Sequence, residues 1–97
     1  MREIESKIAS IIRHILVLPH YKVFLFGSRA DNTADNRSDF DIGIEAQNEI
    51  PGEIMVEIRA KVSNLPILQK VDIVDFKKVS KDFKKLALKN IEVLYER

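Results

Sequence analysis

Two aspartates with one residue between them, Asp39 and Asp41, follow a Gly27-Ser28 pair across ten residues. An apolar run, Val23-Phe24-Leu25-Phe26, leads into the pair, and Ile42-Gly43-Ile44 leads out of the aspartates. The pattern is a strand that stops at a turn, a polar loop, and a new strand that opens on two carboxylates. Alternate residues of a strand share a face, so Asp39 and Asp41 project together with Cα atoms about 6.5–7 Å apart. Two hard oxygen ligands at that spacing suit Mg²⁺, which takes one or two carboxylates and completes its shell with water and substrate phosphates. Gly27 lacks a Cβ, so the backbone can turn sharply and approach a ligand. Ser28 can open a helical turn that presents a hydroxyl and free N–H groups to an anion. A phosphate cradle facing paired carboxylates is the equipment of phosphoryl or nucleotidyl transfer.

A third acid comes from Lys70-Val71-Asp72-Ile73-Val74-Asp75-Phe76. Val71, Ile73 and Asp75 share one face of that strand, and Asp72 and Val74 the other. With Val71 and Ile73 in the core, Asp75 points toward the helix layer and reads as structural, capping the next stretch of chain. Asp72 then joins Asp39 and Asp41 on the open face. Three carboxylates gathered without a cation repel and raise one another's pKa, a cost that makes sense where Mg²⁺ fills the site.

The elements that must position these residues can be read from periodicity. Ile4, Ile8, Ile11, Ile12 and Ile15 mark one face of a helix over about residues 2–17, ended by Pro19. His14 at its edge and His20 beside the turn read as ordinary surface residues. Tyr21–Phe26 is a strand, and Asp39–Glu45 a second, with Phe40, Ile42 and Ile44 facing the core. The short connection predicts that these two strands run antiparallel. Pro51 opens a second helix through Ile54, Met55, Ile58 and Val62, ending near Asn64. Lys70–Phe76 is the third strand. Ser80 caps a third helix with Asp82 in its first turn, Phe83, Leu86 and Ala87 inward, and Asn90 as a left-handed cap. Ile91–Tyr95 is a short last strand. The expected architecture is α/β (α+β): residues 1–97 as one domain, a small mixed sheet of about four strands with helices packed on one face.

Composition narrows the function. At 97 residues the chain has little room for a separate substrate domain, and a net charge of +1 implies no strong nucleic-acid field. Without cysteine, thiol catalysis, disulfides and thiolate metal sites are excluded, which is compatible with the cytoplasm. The charged N-terminus is not a secretory signal, and no apolar run reaches the roughly 20 residues of a membrane span. Lys77, Lys78, Lys81, Lys84, Lys85 and Lys89 around the last helix read as a solvated face, so nucleic acid is not an expected ligand. Arg29 has two readings, a planar fork on phosphate or a solvated side chain, and Arg37 reads as solvated.

Gly-Ser, ten residues and Asp-x-Asp, with Asp72 on a later strand, resemble the minimal nucleotidyltransferases (MNT domains) of the DNA polymerase β-like superfamily over nearly the whole chain. The resemblance implies the nucleotidyltransferase fold and transfer of AMP from ATP to an acceptor hydroxyl with release of pyrophosphate. It implies two Mg²⁺ ions held by Asp39 and Asp41. Asp72 would complete one metal site and help activate the acceptor. Gly27 and Ser28, with Arg29 beside them, would hold the triphosphate. It also implies a partner: MNT proteins pair with HEPN-domain proteins as in type VII toxin–antitoxin systems, the antitoxin transferring AMP to a tyrosine of the HEPN toxin. A homo- or hetero-oligomer fits this reading. Two other readings stay open. One is a nucleotide-binding module that neutralises a HEPN partner by contact; the other is a transferase acting on a small molecule or an RNA end.

Overall fold

The structure, a computed structural model, describes residues 3–30 and 37–97. Helix α1 (Glu3–Ile15) precedes strand β1 (Tyr21–Phe26), a 3₁₀ turn η1 (Gly27–Arg29) and strand β2 (Phe40–Ala46). Helix α2 (Gly52–Ser63), strand β3 (Val71–Asp75), helix α3 (Lys81–Ala87) and strand β4 (Glu92–Glu96) complete the order. The sheet is ordered β3-β2-β1-β4. β1 runs antiparallel to β2 and β4, and β2 parallel to β3, so the sheet is mixed as expected. The parallel pair needs a long crossover, and α2 supplies it.

Strand parity divides the core in two. Val23, Leu25, Ile42, Ile44 and Ile73 point to the face covered by α1 and α2, where Ile8, Ile12 and Ile58 are fully buried. Burying each such side chain stabilises the fold by about 1.5–3 kcal/mol. Phe24 and Phe26 point the other way and meet Phe76 there. Gly43 makes room for them, because a side chain at this position would run into the rings of Phe24 and Phe76.

The third helix departs from the expectation. α1 and α2 share one face, but α3 packs over Phe24, Phe26 and Phe76 on the opposite face through Ala87 and Leu88. Its Ser80 cap is as read, the hydroxyl accepting from the Phe83 N–H at 3.1 Å. Its end is not: the helix stops at Ala87 with Leu88 in a right-handed cap, so Asn90 lies beyond it. Lys84 anchors it, donating to Glu45 Oε1 at 2.8 Å across to the sheet. That lysine, read as solvated, is partly buried in an ion pair.

Among the described residues no helix is long and apolar enough to cross a membrane.

Candidate active site

β1 ends where Gly27 takes φ +75°, a conformation that glycine adopts without strain. The turn it opens, Gly27–Arg29, is closed by the Ala30 N–H donating to the Gly27 carbonyl at 3.1 Å. Register then sets Phe26 opposite Asp41 on β2, and Asp41 opposite Asp72 on β3. These three side chains form a row across three strands on the α3 face. Asp41 Oδ2 reaches back over the turn: a Cβ added to Gly27 would stand 2.5 Å from it. The turn residue is glycine because a carboxylate occupies the space of its side chain.

Asp39 lies one residue before β2 and is exposed. Its Oδ1 accepts the Lys70 N–H at 3.3 Å, while the Lys70 carbonyl accepts the Phe40 N–H at 2.9 Å. The Lys70 ammonium stands 3.6 Å from Asp72 Oδ1. Lys70 therefore touches two of the three acids, a role the sequence reading missed. The signal was there, since Lys70 and Asp72 are alternate residues of one strand and share a face.

Electrostatics mark Asp41 as the centre of the group. Burial first, then the charges of Asp72 and Asp39, push its carboxyl above the ordinary 3.8. A carboxylate crowded by two others in a partly desolvated setting is stabilised by a cation. Among the described residues no group of three or more acids, imidazoles or thiols is placed to hold a metal ion. Mg²⁺ takes one or two carboxylates and keeps water and phosphate in its shell. Hard oxygen donors, mutual repulsion and a glycine cleared of side chain fit the group.

Asp75 stands apart, as its parity predicts. It is 4% exposed on the helix side, its Oδ2 accepting the Ile50 N–H at 2.8 Å and its Oδ1 the Lys77 N–H at 2.9 Å. Arg29 is not simply solvated. Its Nε and Nη2 donate to the Ser38 carbonyl at 3.0 and 2.7 Å, and its guanidinium lies 3.8 Å from the Phe40 ring centroid. The arginine thereby ties the start of the site loop to its end, next to Asp39.

Asp41 and Asp72 open into a cleft of about 730 Å³ whose other walls include Phe26, Lys70, Val74 and Phe83. Leu65 and Ile67 also line it, and Leu68, next in sequence, is fully exposed.

Comparison with known proteins agrees with this geometry. The family model "Polymerase beta, Nucleotidyltransferase" matches residues 6–97. The chain is 28% identical over 97 residues to the probable protein adenylyltransferase MntA of Haemophilus influenzae, covering 98% of this chain and 85% of that protein. A crystal structure of a toxin–antitoxin with AMP-PNP superposes with a TM-score of 0.76 at 26% identity, covering 96% of this chain and 73% of that one. The complex of a tri-AMPylated Shewanella oneidensis HEPN toxin with an MNT antitoxin gives a TM-score of 0.72 at 23% identity, covering 97% and 71%.

Proposed function

The chain belongs to the polymerase beta nucleotidyltransferase family, and from that premise we propose that it transfers AMP from ATP to a hydroxyl of a partner protein, a tyrosine of a HEPN-domain toxin, as the antitoxin of the pair. One observation carries the reading: Asp41 is paired in register with Asp72 and lies directly over the glycine of the turn, at the floor of an open cleft. The similarity to a probable protein adenylyltransferase and to a toxin–antitoxin with AMP-PNP supports the donor and the kind of acceptor.

In this reading the 97 residues work as one minimal nucleotidyltransferase domain in the cytoplasm. Gly27 and Ser28 present the turn to the β- and γ-phosphates. Asp39, Asp41 and Asp72 would be the residues to hold Mg²⁺ when it is bound. The metal supplies charge neutralisation on the phosphates and a lowered pKa for the attacking oxygen. The chain's own work is placement. Lys70 fixes Asp39 through its backbone and Asp72 through its ammonium, and Arg29 closes the loop between Gly27 and Asp39. Asp72 accepts the proton of the acceptor hydroxyl. The acceptor oxygen forms its bond to the α-phosphorus as the bond to the β-phosphate oxygen breaks, and pyrophosphate leaves. No covalent enzyme intermediate is needed, because positioning and charge stabilisation suffice for this chemistry.

The test is label transfer from α-³²P-ATP with Mg²⁺, using this protein co-expressed with the product of its neighbouring gene. Label on the partner that vanishes with Asp41→Asn is the expected result. A complex that forms and stays unlabelled on every protein would replace transfer by neutralisation through contact.

A further inference from the structure

β3 is an outer strand of the sheet, with β2 on one side of it only. Two bonds fix which of its backbone groups face outward. The Lys70 carbonyl accepts the Phe40 N–H, and the Phe76 N–H donates to the Ile44 carbonyl, so the even-numbered residues of this stretch bond to β2. In a ladder the backbone groups of successive residues point to alternate sides. The N–H and C=O of Val71 and Ile73 therefore turn away from the sheet. One of these four groups is held: Arg59 Nη2 donates to the Ile73 carbonyl at 2.8 Å, where the N–H of a further strand would stand. Among the described residues no hydrogen bond reaches the other three.

The cleft above Asp41 and Asp72 follows this edge. Its walls include Arg59 and Val62 of α2, which covers one face of the sheet, and Phe26 and Phe83, which stack on the other. A cavity that touches both faces must pass round the free edge between them. The groove thus runs along Val71–Val74, with Asp72 beside it. An uncovered edge is a template for another chain, and proteins blunt it where no pairing is wanted. Here a single arginine blunts one position, and the rest lies open at the acids.

Direction says what comes to this edge. In phosphoryl-type transfer the attacking oxygen stands roughly opposite the leaving one. In the reading above pyrophosphate leaves at the Gly27 turn, which ends β1. Asp41 follows on β2 and Asp72 on β3, in one row. The acceptor then enters from the side of β3, and past Asp72 the sheet ends. β4, the other outer strand, carries none of the three acids.

We propose that the acceptor segment of the partner protein docks on β3 in extended conformation and adds a fifth strand to the sheet. It pairs with both backbone groups of Val71 and with the Ile73 N–H, and Arg59 marks the end of the track. In this mode main-chain bonds supply affinity and alternate side chains supply specificity. Residues paired across strands share a face, with Cβ atoms about 4.5–5.5 Å apart. The residue opposite Asp72 therefore extends the row of Phe26, Asp41 and Asp72 by one and turns its hydroxyl toward the acids. The inference rests on the transfer reading and adds how the acceptor is held.

The test is amide hydrogen exchange, resolved by residue, on the chain alone and in complex with the product of its neighbouring gene. The Val71 and Ile73 amides should exchange readily in the free chain and at least about 10-fold more slowly in the complex, the scale of one added hydrogen bond. Val71→Pro removes an outward donor while leaving the ladder to β2 intact, as proline does on an edge strand. It should keep Mg-ATP affinity by calorimetry and lower kcat/KM for label transfer to the partner by about 10-fold or more. Slow exchange of both amides in the free chain, no added protection in a complex that becomes labelled, protection confined to β4, or transfer by Val71→Pro at the wild-type kcat/KM would each overturn the docking and leave transfer standing. A complex that protects Val71 and Ile73 yet carries no label would instead remove transfer and keep the edge as the interface.

Discussion

Asp41 Oδ2 stands where the side chain of residue 27 would begin, 2.5 Å from the Cβ that Gly27 lacks. Turn and carboxylate are therefore one unit, and a substitution at either should be felt at the other. Gly27→Ala also forces a φ of +75° on an L-residue, which costs about 1–3 kcal/mol by itself. We expect Gly27→Ala to lower stability by at least that amount, and to cost measurably less in an Asp41→Ala background, where the collision is gone. Denaturant unfolding of the four proteins in the cycle checks it; simple additivity would mean that the two residues do not share this space.

The second expectation concerns pH. Asp41 has its carboxyl raised above 3.8 by burial, Asp72 and Asp39, so the folded chain binds that proton more tightly than the unfolded chain. A raised folded value contributes stability that is complete below the unfolded pKa and is lost as pH rises through the folded one. At neutral pH the metal-free protein therefore carries the whole repulsion. Asp41→Asn should melt higher than wild type in EDTA at pH 7, with the gap closing toward pH 4. Mg²⁺ should raise the wild-type melting temperature and leave the variant unmoved. Transfer should fall by about 10²–10³-fold, the scale of losing one charge-stabilising group. Identical melting at pH 7 would contradict the crowding.

Much of this was legible because strands alternate. Asp41 and Gly43 on one face of β2, and Asp72 against Asp75 on β3, come from counting by two, whereas Asp39 lies one residue before the strand. The antiparallel β1–β2 pair came from the connection length. What stayed hidden has physical causes. Tyr21–Phe26 is apolar at nearly every position, so parity there could not announce that Phe24 and Phe26 build a second core on the far face. Without that core, α3 had no reason to be placed opposite α1 and α2. Arg29 and Lys84 were opaque for another reason: their partners, Ser38 and Glu45, lie 9 and 39 residues away. A long cation gives no sign in sequence of whether it bends back onto the fold.

Arg29 offers a third test. Two bonds to the Ser38 carbonyl and a stack on Phe40 use the planar fork, which a lysine cannot reproduce. Arg29→Lys and Arg29→Ala should lose similar stability, about 1–2 kcal/mol. Recovery of tripolyphosphate affinity by Lys, relative to Ala, would show that the charge is directed at phosphate instead.

The Glu45–Lys84 pair gives a fourth. Its side chains are 28% and 31% exposed, and Glu45 Oε2 has no hydrogen-bond partner among the described residues, so a lone charge left there is poorly solvated. Lys84→Met should destabilise by about 1–2 kcal/mol, between the values for surface and buried pairs. Glu45→Gln/Lys84→Met should recover part of that loss. Thermal unfolding at low and high salt separates the contributions, and a single variant as stable as wild type would make the pair incidental.

The sharpest contrast lies within one strand. Asp75 satisfies two backbone N–H groups in a buried setting, and Asp72 is half-exposed beside Lys70 and Asp41. Removing the first carboxylate orphans both donors, so Asp75→Ala should cost about 2–4 kcal/mol. The protein that still folds should label its partner normally. Asp72→Ala should change stability by no more than about 0.5 kcal/mol, as exposed sites do, or raise it slightly by relieving Asp41. Its transfer should collapse. Parallel measurement of unfolding free energy and label transfer on both variants decides the matter: a stable Asp75→Ala that cannot transfer would move the third acid three residues along β3, and with it the face on which the acceptor sits.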